Sequence, residues 1–203
     1  MNAEKKLTER KREDIIEAAT FEFKSNGFSA TSMDRIATTA QVSKRTVYNH
    51  FESKEVLFQS IAQQLCERVM QVSEHSYDPD TPVSEQLRAI AEQEIALLAS
   101  TDFIDMVKMI TSESLTSPEL TRKNFEDFQE TGIGVVKWIQ KASDDGKLSV
   151  TDPVVAGKQF LALIEAFALW PQFYGIKPVP TKTEQAEIID SSVEMFLSRY
   201  DPS

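Results

Sequence analysis

Residues 27–57 run Gly27-Phe28-Ser29-Ala30-Thr31-Ser32-Met33-Asp34-Arg35-Ile36-Ala37-Thr38-Thr39-Ala40-Gln41-Val42-Ser43-Lys44-Arg45-Thr46-Val47-Tyr48-Asn49-His50-Phe51-Glu52-Ser53-Lys54-Glu55-Val56-Leu57. The stretch reads as two short helices joined by a tight turn, followed at once by the start of a longer helix. Thr31 with Asp34 fits the Ser/Thr-x-x-Asp/Glu capping signature. Met33, Ile36 and Ala37 recur at i, i+3 and i+4 as an inward face. Gln41 and Val42 make the turn, and Ser43 is a good N-cap for a helix over about Lys44–His50. At about 100° per residue, Lys44, Arg45, Tyr48 and Asn49 fall within one arc of about 140°. Val47 points the other way, and Phe51 closes the end against a core. Ser53 caps the next helix, with Lys54 in its first turn. Cationic, amide and phenol groups on one helical arc are those that reach phosphates and base edges in a major groove. The pattern is a helix-turn-helix.

Before this stretch, a helix is expected from about Thr8 to Asn26, because Ile15, Ala19 and Phe23 recur at i, i+4 and i+8 beside Ile16 and Ala18. Gly27 stands where a helix stop favours a left-handed residue. The charge is segregated along the chain. The 203 residues carry a formal charge of −10, which taken alone argues against a nucleic-acid partner. Residues 1–58, however, hold ten Lys/Arg against nine Asp/Glu, while residues 59–203 hold twelve against 23. Between Arg35 and Lys54 the only acidic residue is Glu52. The field where phosphates approach matters more than the net charge. Upstream, Lys5, Lys6, Arg10, Lys11 and Arg12 alternate with Glu4, Glu9 and Glu13. That arm reads either as a phosphate contact or as a solubilising tail.

The run Ile36-Ala37, Ala40, Val42-Ser43, Thr46, Tyr48, His50-Phe51, Ser53-Lys54-Glu55 resembles the N-terminal DNA-binding domain of the TetR family of transcriptional regulators over roughly residues 8–60. The spacing is gap-free. The resemblance implies phosphate contacts for Thr46, His50 and Lys54, so the candidate DNA-contacting set is Ser32, Lys44, Arg45, Thr46, Tyr48, Asn49, His50 and Lys54. One departure is Gln41, where the family's turn usually has Gly. A non-Gly residue held at positive φ costs about 1 kcal/mol, so either the turn tolerates that strain or its geometry differs slightly.

Past residue 58 the expectation is all helix. The division is a helix-turn-helix domain over 1–58 and a ligand-binding and dimerisation domain over 59–203, about nine helices in an all-α fold. The fourth helix runs through Leu57, Ile61, Leu65 and Val69 to about His75. Tyr77–Pro82 is a loop by composition. Helices follow over about 83–99 and 103–114. Another is expected to start at Ser117-Pro118 and run towards Lys141, with Gly132 and Gly134 inside it at about 1 kcal/mol each. Asp152-Pro153 restarts a helix that is apolar on more than one face over 154–170 and is ended by Pro171. A last helix spans about Thr183–Arg199. The resemblance pairs the final two helices with their symmetry mates, giving a homodimer with Phe160, Ile164, Ile189, Val193, Phe196 and Leu197 as its seam. It extends weakly to the AefR-like branch in the C-terminal part.

Catalytic constellations are missing from the sequence. His50 and His75 lack a His or Cys partner at metal-ligand spacing. No Gly-rich phosphate loop or Gly-x-Ser-x-Gly elbow occurs. No enzyme activity, metal or cofactor is expected. The lone Cys66 forbids an intrachain disulfide and fits a reduced, cytoplasmic setting; no apolar run of membrane-spanning length and no signal-peptide pattern are seen. Two functions remain. One is a dimeric repressor of double-stranded operator DNA, released by a small apolar or amphipathic ligand held among Phe103, Met106, Met109, Phe125, Phe128, Trp138, Phe167 and Trp170. The other is an architectural or protein-controlled DNA-binding factor without a small ligand.

Overall fold

The first helix, α1 (Asn2–Asn26), buries Ile15, Ile16, Ala18, Ala19 and Phe23 along one stripe. It begins earlier in the chain than the apolar periodicity requires. Gly27 stops it at φ 81°, with its N–H donated to the Phe23 carbonyl at 2.9 Å. The structure is a computed structural model. It describes residues 2–72, 74–122, 126 and 134–202, and the side chains among these from residue 7 onward.

The next helix, α2 (Met33–Thr39), is capped by Ser32, whose Oγ accepts the Arg35 N–H at 3.2 Å. Thr31, expected in that role, does not cap it. Thr31 is buried, and its hydroxyl faces the carbonyls of Gly27 at 2.8 Å and Glu22 at 3.2 Å. Burial against α1 decides between two adjacent hydroxyl residues, either of which could cap in isolation.

The turn is a Schellman motif with glutamine in the left-handed position. Gln41 has φ 54°, its N–H reaches the Thr38 carbonyl at 3.1 Å, and the Val42 N–H reaches the Ala37 carbonyl at 3.0 Å. Two satisfied helix carbonyls offset the strain of a side chain at positive φ. Helix α3 (Lys44–His50) follows, capped by Ser43 Oγ from the Thr46 N–H at 3.1 Å. Val47 is fully buried and Phe51 nearly so. Ser53 Oγ accepts the Val56 N–H at the start of α4 (Lys54–Val72). Phe23, Phe28 and Phe58 pack with ring centroids 5.1–5.7 Å apart, joining α1, the loop after it and α4.

Helices α5 (Val83–Leu98) and α6 (Thr101–Thr116) come next. The helix expected from Ser117 opens instead with a 3₁₀ turn at Pro118–Leu120, where Ser117 makes no side-chain cap bond, and much of the span expected to follow lies outside the described residues. Gly132 lies outside the described residues. Helix α7 (Gly134–Asp144) packs against α8 (Pro153–Ala168) closely enough that a Cβ on Gly157 would lie 2.8 Å from Val136 Cγ2. Asp152 Oδ1 caps α8 from the N–H groups of Val154 and Val155. The apolar run does not continue to Pro171 as one helix. It breaks at Leu169, and Pro171 sits inside a separate turn, α9 (Trp170–Phe173). The last helix, α10 (Lys182–Tyr200), starts with a reciprocal Thr181–Glu184 capping box.

That gives ten α-helices and no strand among the described residues. The fold is all-α, with the short α9 as the addition to the expected nine. No helix among the described residues is long and apolar enough to cross a membrane. The chain divides into two compact units, Met1–Cys66 with Asp105–Glu126, and Glu67–Ile104 with Asp127–Ser203.

Candidate nucleic-acid interface

Helix α3 has two opposed faces. Val47 at 0% exposure and Phe51 at 2% fix one face into the first unit. Lys44, Arg45 and Asn49 are exposed on the other, together with Tyr48, 45% exposed. An exposed tyrosine ring needs a reason, and a helix face that meets bases supplies one. The expected arc of four is brought together.

The other candidates divide. Ser32 is exposed, but its hydroxyl is engaged as the α2 cap. Thr46 is half-buried, its Oγ1 2.8 Å from Ser43 Oγ. His50 is half-buried beside Phe51, ring centroids 6.4 Å apart. Lys54 departs from its expected role. Its ammonium donates to the carbonyls of Phe28 at 2.7 Å, Thr31 at 2.9 Å and Ser29 at 3.4 Å, and lies 4.3 Å from the Phe28 ring centroid. An ammonium has three protons, and three carbonyls of one loop take them. Lys54 therefore fastens α4 to the α1–α2 loop and is not poised for a phosphate. Lys54→Met is expected to lower stability by about 1–3 kcal/mol through these charge-assisted bonds. The salt dependence of DNA binding should stay unchanged. A slope reduced by one contact per subunit, with an unaltered melt, would restore the phosphate role.

Two acidic residues organise the basic surface: Asp34, expected only as a capping partner, and Glu22. Lys44 Nζ lies 2.7 Å and 3.0 Å from the two carboxylate oxygens of Asp34. The hydrogen bond to Asp34, and then its charge, hold the Lys44 ammonium above its ordinary pKa. Glu22 is 4% exposed and takes Arg35 Nε at 2.6 Å, the Thr39 hydroxyl at 2.6 Å and Asn26 Nδ2 at 2.9 Å. A buried carboxylate tolerates its surroundings only when its lone pairs are filled, and two of these donors, Arg35 and Thr39, tie α1 to α2. The sequence signal was there, since Glu22 falls on the same α1 stripe as Ala18 and Ala19.

The described ligand candidates differ in exposure. Trp138 is 1% exposed and Phe103 4%, so both are core. Trp138 donates its indole N–H to Gln86 Oε1 at 3.0 Å. Met106 and Met109 are half-buried, and Met109 lines a cleft of about 680 Å³ in the first unit together with Phe23 and Phe28. Phe167 and Trp170 are 58% and 43% exposed. Phe125 and Phe128 lie outside the described residues. Among the described residues no three His, Cys, Asp or Glu side chains are placed to hold a metal ion.

Five of the six residues expected at a dimer seam are buried within a single copy. Phe160 and Ile164 are fully buried, and Ile189, Val193 and Phe196 nearly so, inside a single copy of the chain; Leu197 is half-buried. Phe160 meets the Phe196 ring at 5.1 Å, so these residues bind α8 to α10 within one copy. A groove of about 360 Å³ is lined by Leu163, Phe167, Ile188 and Met195, together with Lys177, Glu184 and Glu187. Phe167 and Met195 are each more than half exposed.

Two family models match this architecture. One, "Bacterial regulatory proteins, tetR family", covers residues 15–61, and the other, "AefR-like transcriptional repressor, C-terminal domain", covers residues 85–202. The chain belongs to the TetR family. The first match spans α2 and α3 whole, and the second places the rest of this TetR-family chain in the AefR-like branch. A TetR-family transcriptional regulator from Pseudomonas syringae pv. tomato str. DC3000 has a crystal structure that superposes with a TM-score of 0.79, at 38% identity, over 95% of this chain and 97% of that one. The flavonoid-responsive regulator FrrA superposes with a TM-score of 0.78, at 31% identity, over 95% and 98%. The HTH-type transcriptional regulator YhgD of Bacillus subtilis (strain 168), itself uncharacterized, is 33% identical over 128 residues, or 63% of this chain. The chain spans 58% of the length of that relative.

Proposed function

We propose that this TetR-family protein is a dimeric, DNA-binding transcriptional repressor that leaves its operator when a small apolar or amphipathic molecule binds in the C-terminal part. The observation that carries the DNA-binding half is the face of α3. Arg45, Tyr48 and Asn49 stand in solvent with no ion pair among the described residues, on a helix whose opposite side is fully packed. Arg45 is the group able to grip a guanine edge with two parallel hydrogen bonds, a contact worth about 1–3 kcal/mol of base discrimination. Arg45→Ala is therefore expected to blur one base position per half-site. Competition between matched and single-substituted duplexes reads this directly, and a preference unchanged at every position would remove Arg45 from base readout.

A two-fold dimer suits DNA, since it reads two half-sites one helical turn apart or a multiple of it. The groove between α8 and α10 supports this, because its exposed Phe167 and Met195 leave apolar surface that a second copy can cover. An isologous interface would set the same patch of each copy against the other.

Support for ligand control is the AefR-like match and the similarity to a regulator that responds to flavonoids. Helix α4 provides a route. Its 19 residues span about 28 Å with no Pro or Gly to absorb a bend. Lys54 fastens its first turn to the loop beside α2. A ligand that favours one tilt of α4 would thereby reposition α3. By linkage, operator DNA must weaken the ligand by the factor by which the ligand weakens DNA. A screen of planar and amphipathic compounds by thermal shift, repeated with operator bound, tests both halves. A ligand held equally tightly with and without operator would refute the switch and leave DNA binding standing.

A further inference from the structure

Among the cations facing outward from the helix-turn-helix, Lys44 is already partnered. Its ammonium sits 2.7 Å and 3.0 Å from the two oxygens of Asp34, in the first turn of the preceding helix, and 5.9 Å from the centroid of Tyr48. Both side chains of the pair are about three-fifths exposed, at 60% and 63%. An ion pair that exposed shifts a folding equilibrium by less than about fivefold, so stability does not account for it. Its consequence is electrostatic. It places a carboxylate on the surface that meets phosphates, and it holds a long, flexible cation in one direction.

We infer that Asp34 is a specificity-determining residue of the DNA interface, acting by holding Lys44. Sequence-independent attraction to duplex DNA comes from mobile cations that displace counterions anywhere along the backbone. A lysine neutralised by an adjacent carboxylate contributes little to that term. An ammonium nevertheless has three protons, and Asp34 does not exhaust them. The remaining donor points where the Asp34 bond and the Tyr48 ring direct it. DNA seated in register on Arg45, Tyr48 and Asn49 presents an acceptor there, and DNA out of register does not. Asp34 thus lowers binding to random sequence more than binding to the operator. The same reasoning separates it from Glu52, which is also exposed near the recognition helix but holds none of its cations.

This inference rests on the DNA-binding reading above, and a double-mutant cycle keeps the two apart. The full chain, as wild type, Asp34→Asn, Lys44→Ala and the double variant, is titrated with its selected operator duplex and with a random-sequence duplex across a range of salt. Melting curves confirm that each variant is folded. Asp34→Asn is expected to tighten random-duplex binding by about three- to tenfold and to steepen its salt slope by about one contact per subunit. Operator binding should tighten less, so the ratio of operator to random affinity falls. In the Lys44→Ala background, Asp34→Asn should change neither the slope nor the ratio. Equal tightening on both duplexes, or a gain that persists without Lys44, would show Asp34 to be a plain repulsive charge and overturn the inference while the regulator reading stands. A wild-type protein that selects no sequence at all overturns both.

Discussion

Phe58→Ala is expected to lower the thermal unfolding midpoint by about 6–20 °C. Phe58 is fully buried and its ring meets those of Phe23 and Phe28 at 5.7 Å and 5.1 Å. Removing such a ring costs about 3–5 kcal/mol, the transfer of the lost carbons plus the cavity left behind. Each kcal/mol shifts the midpoint of a chain this size by about 2–4 °C. The cluster also positions chemistry. Phe28 carries the Lys54 ammonium on its face, so loss of Phe58 loosens the loop that Lys54 holds. DNA binding should weaken in parallel, without a change in which sequence is preferred. A melt unchanged within 2 °C, taken as roughly the effect of 1 kcal/mol, would show that the three rings do not anchor α1 to α4.

Phe167→Glu is expected to convert a dimer into a folded monomer. The side chain is 58% exposed in a single copy, so an exposed-site substitution should leave the fold within about 0.5 kcal/mol. In a symmetric interface the same change places two carboxylates in apolar surroundings, one from each copy, at a cost of several kcal/mol. Losing the second half-site should then weaken operator binding by about 10²–10⁴-fold. Phe196→Glu provides the contrast. Phe196 is 2% exposed and packed between the rings of Phe160 and Tyr200, so its replacement should unfold the α8–α10 packing outright. Sedimentation of wild type and both variants at micromolar concentration distinguishes these outcomes. A wild-type monomer, or a Phe167→Glu dimer, would move the seam elsewhere.

The helix-turn-helix was legible because its signals are local. Ser43 and Phe51 delimit α3 at the expected residues, and Gly27 takes the left-handed conformation it was expected to take; of the two geometries that Gln41 left open, the turn adopts the strained one at positive φ. What sequence could not supply was tertiary. Thr31 and Ser32 are equivalent as caps until α1 buries one of them. Lys54 and Arg45 are both cations near the same surface, and only the positions of the Phe28–Thr31 carbonyls show that Lys54 is consumed internally. Asp34 and Lys44 lie ten residues apart, a pairing that no helical period brings together.

The last two helices show a different limit. Phe167 follows Phe160 by seven residues, two helical turns, and lies on the same stripe. Phe160 is covered by Phe196, whereas Phe167 looks into the open groove beside Ile188 and Met195. A periodic pattern shows which direction a side chain faces. It does not show where along the helix the neighbouring helix stops covering it. The expected seam was therefore placed on residues that the chain buries for itself.

The exposed face of α3 is expected to read duplex sequence. Selection of bound sequences from a pool of random duplex DNA, carried out with wild-type and Arg45→Ala chains side by side, tests it most directly. The expected result is a two-fold symmetric motif whose half-sites are centred about 34–36 Å apart or a multiple of that spacing, with one position per half-site losing its preference in Arg45→Ala. Enrichment of no motif by the wild-type chain, or of an identical motif by both, would contradict it.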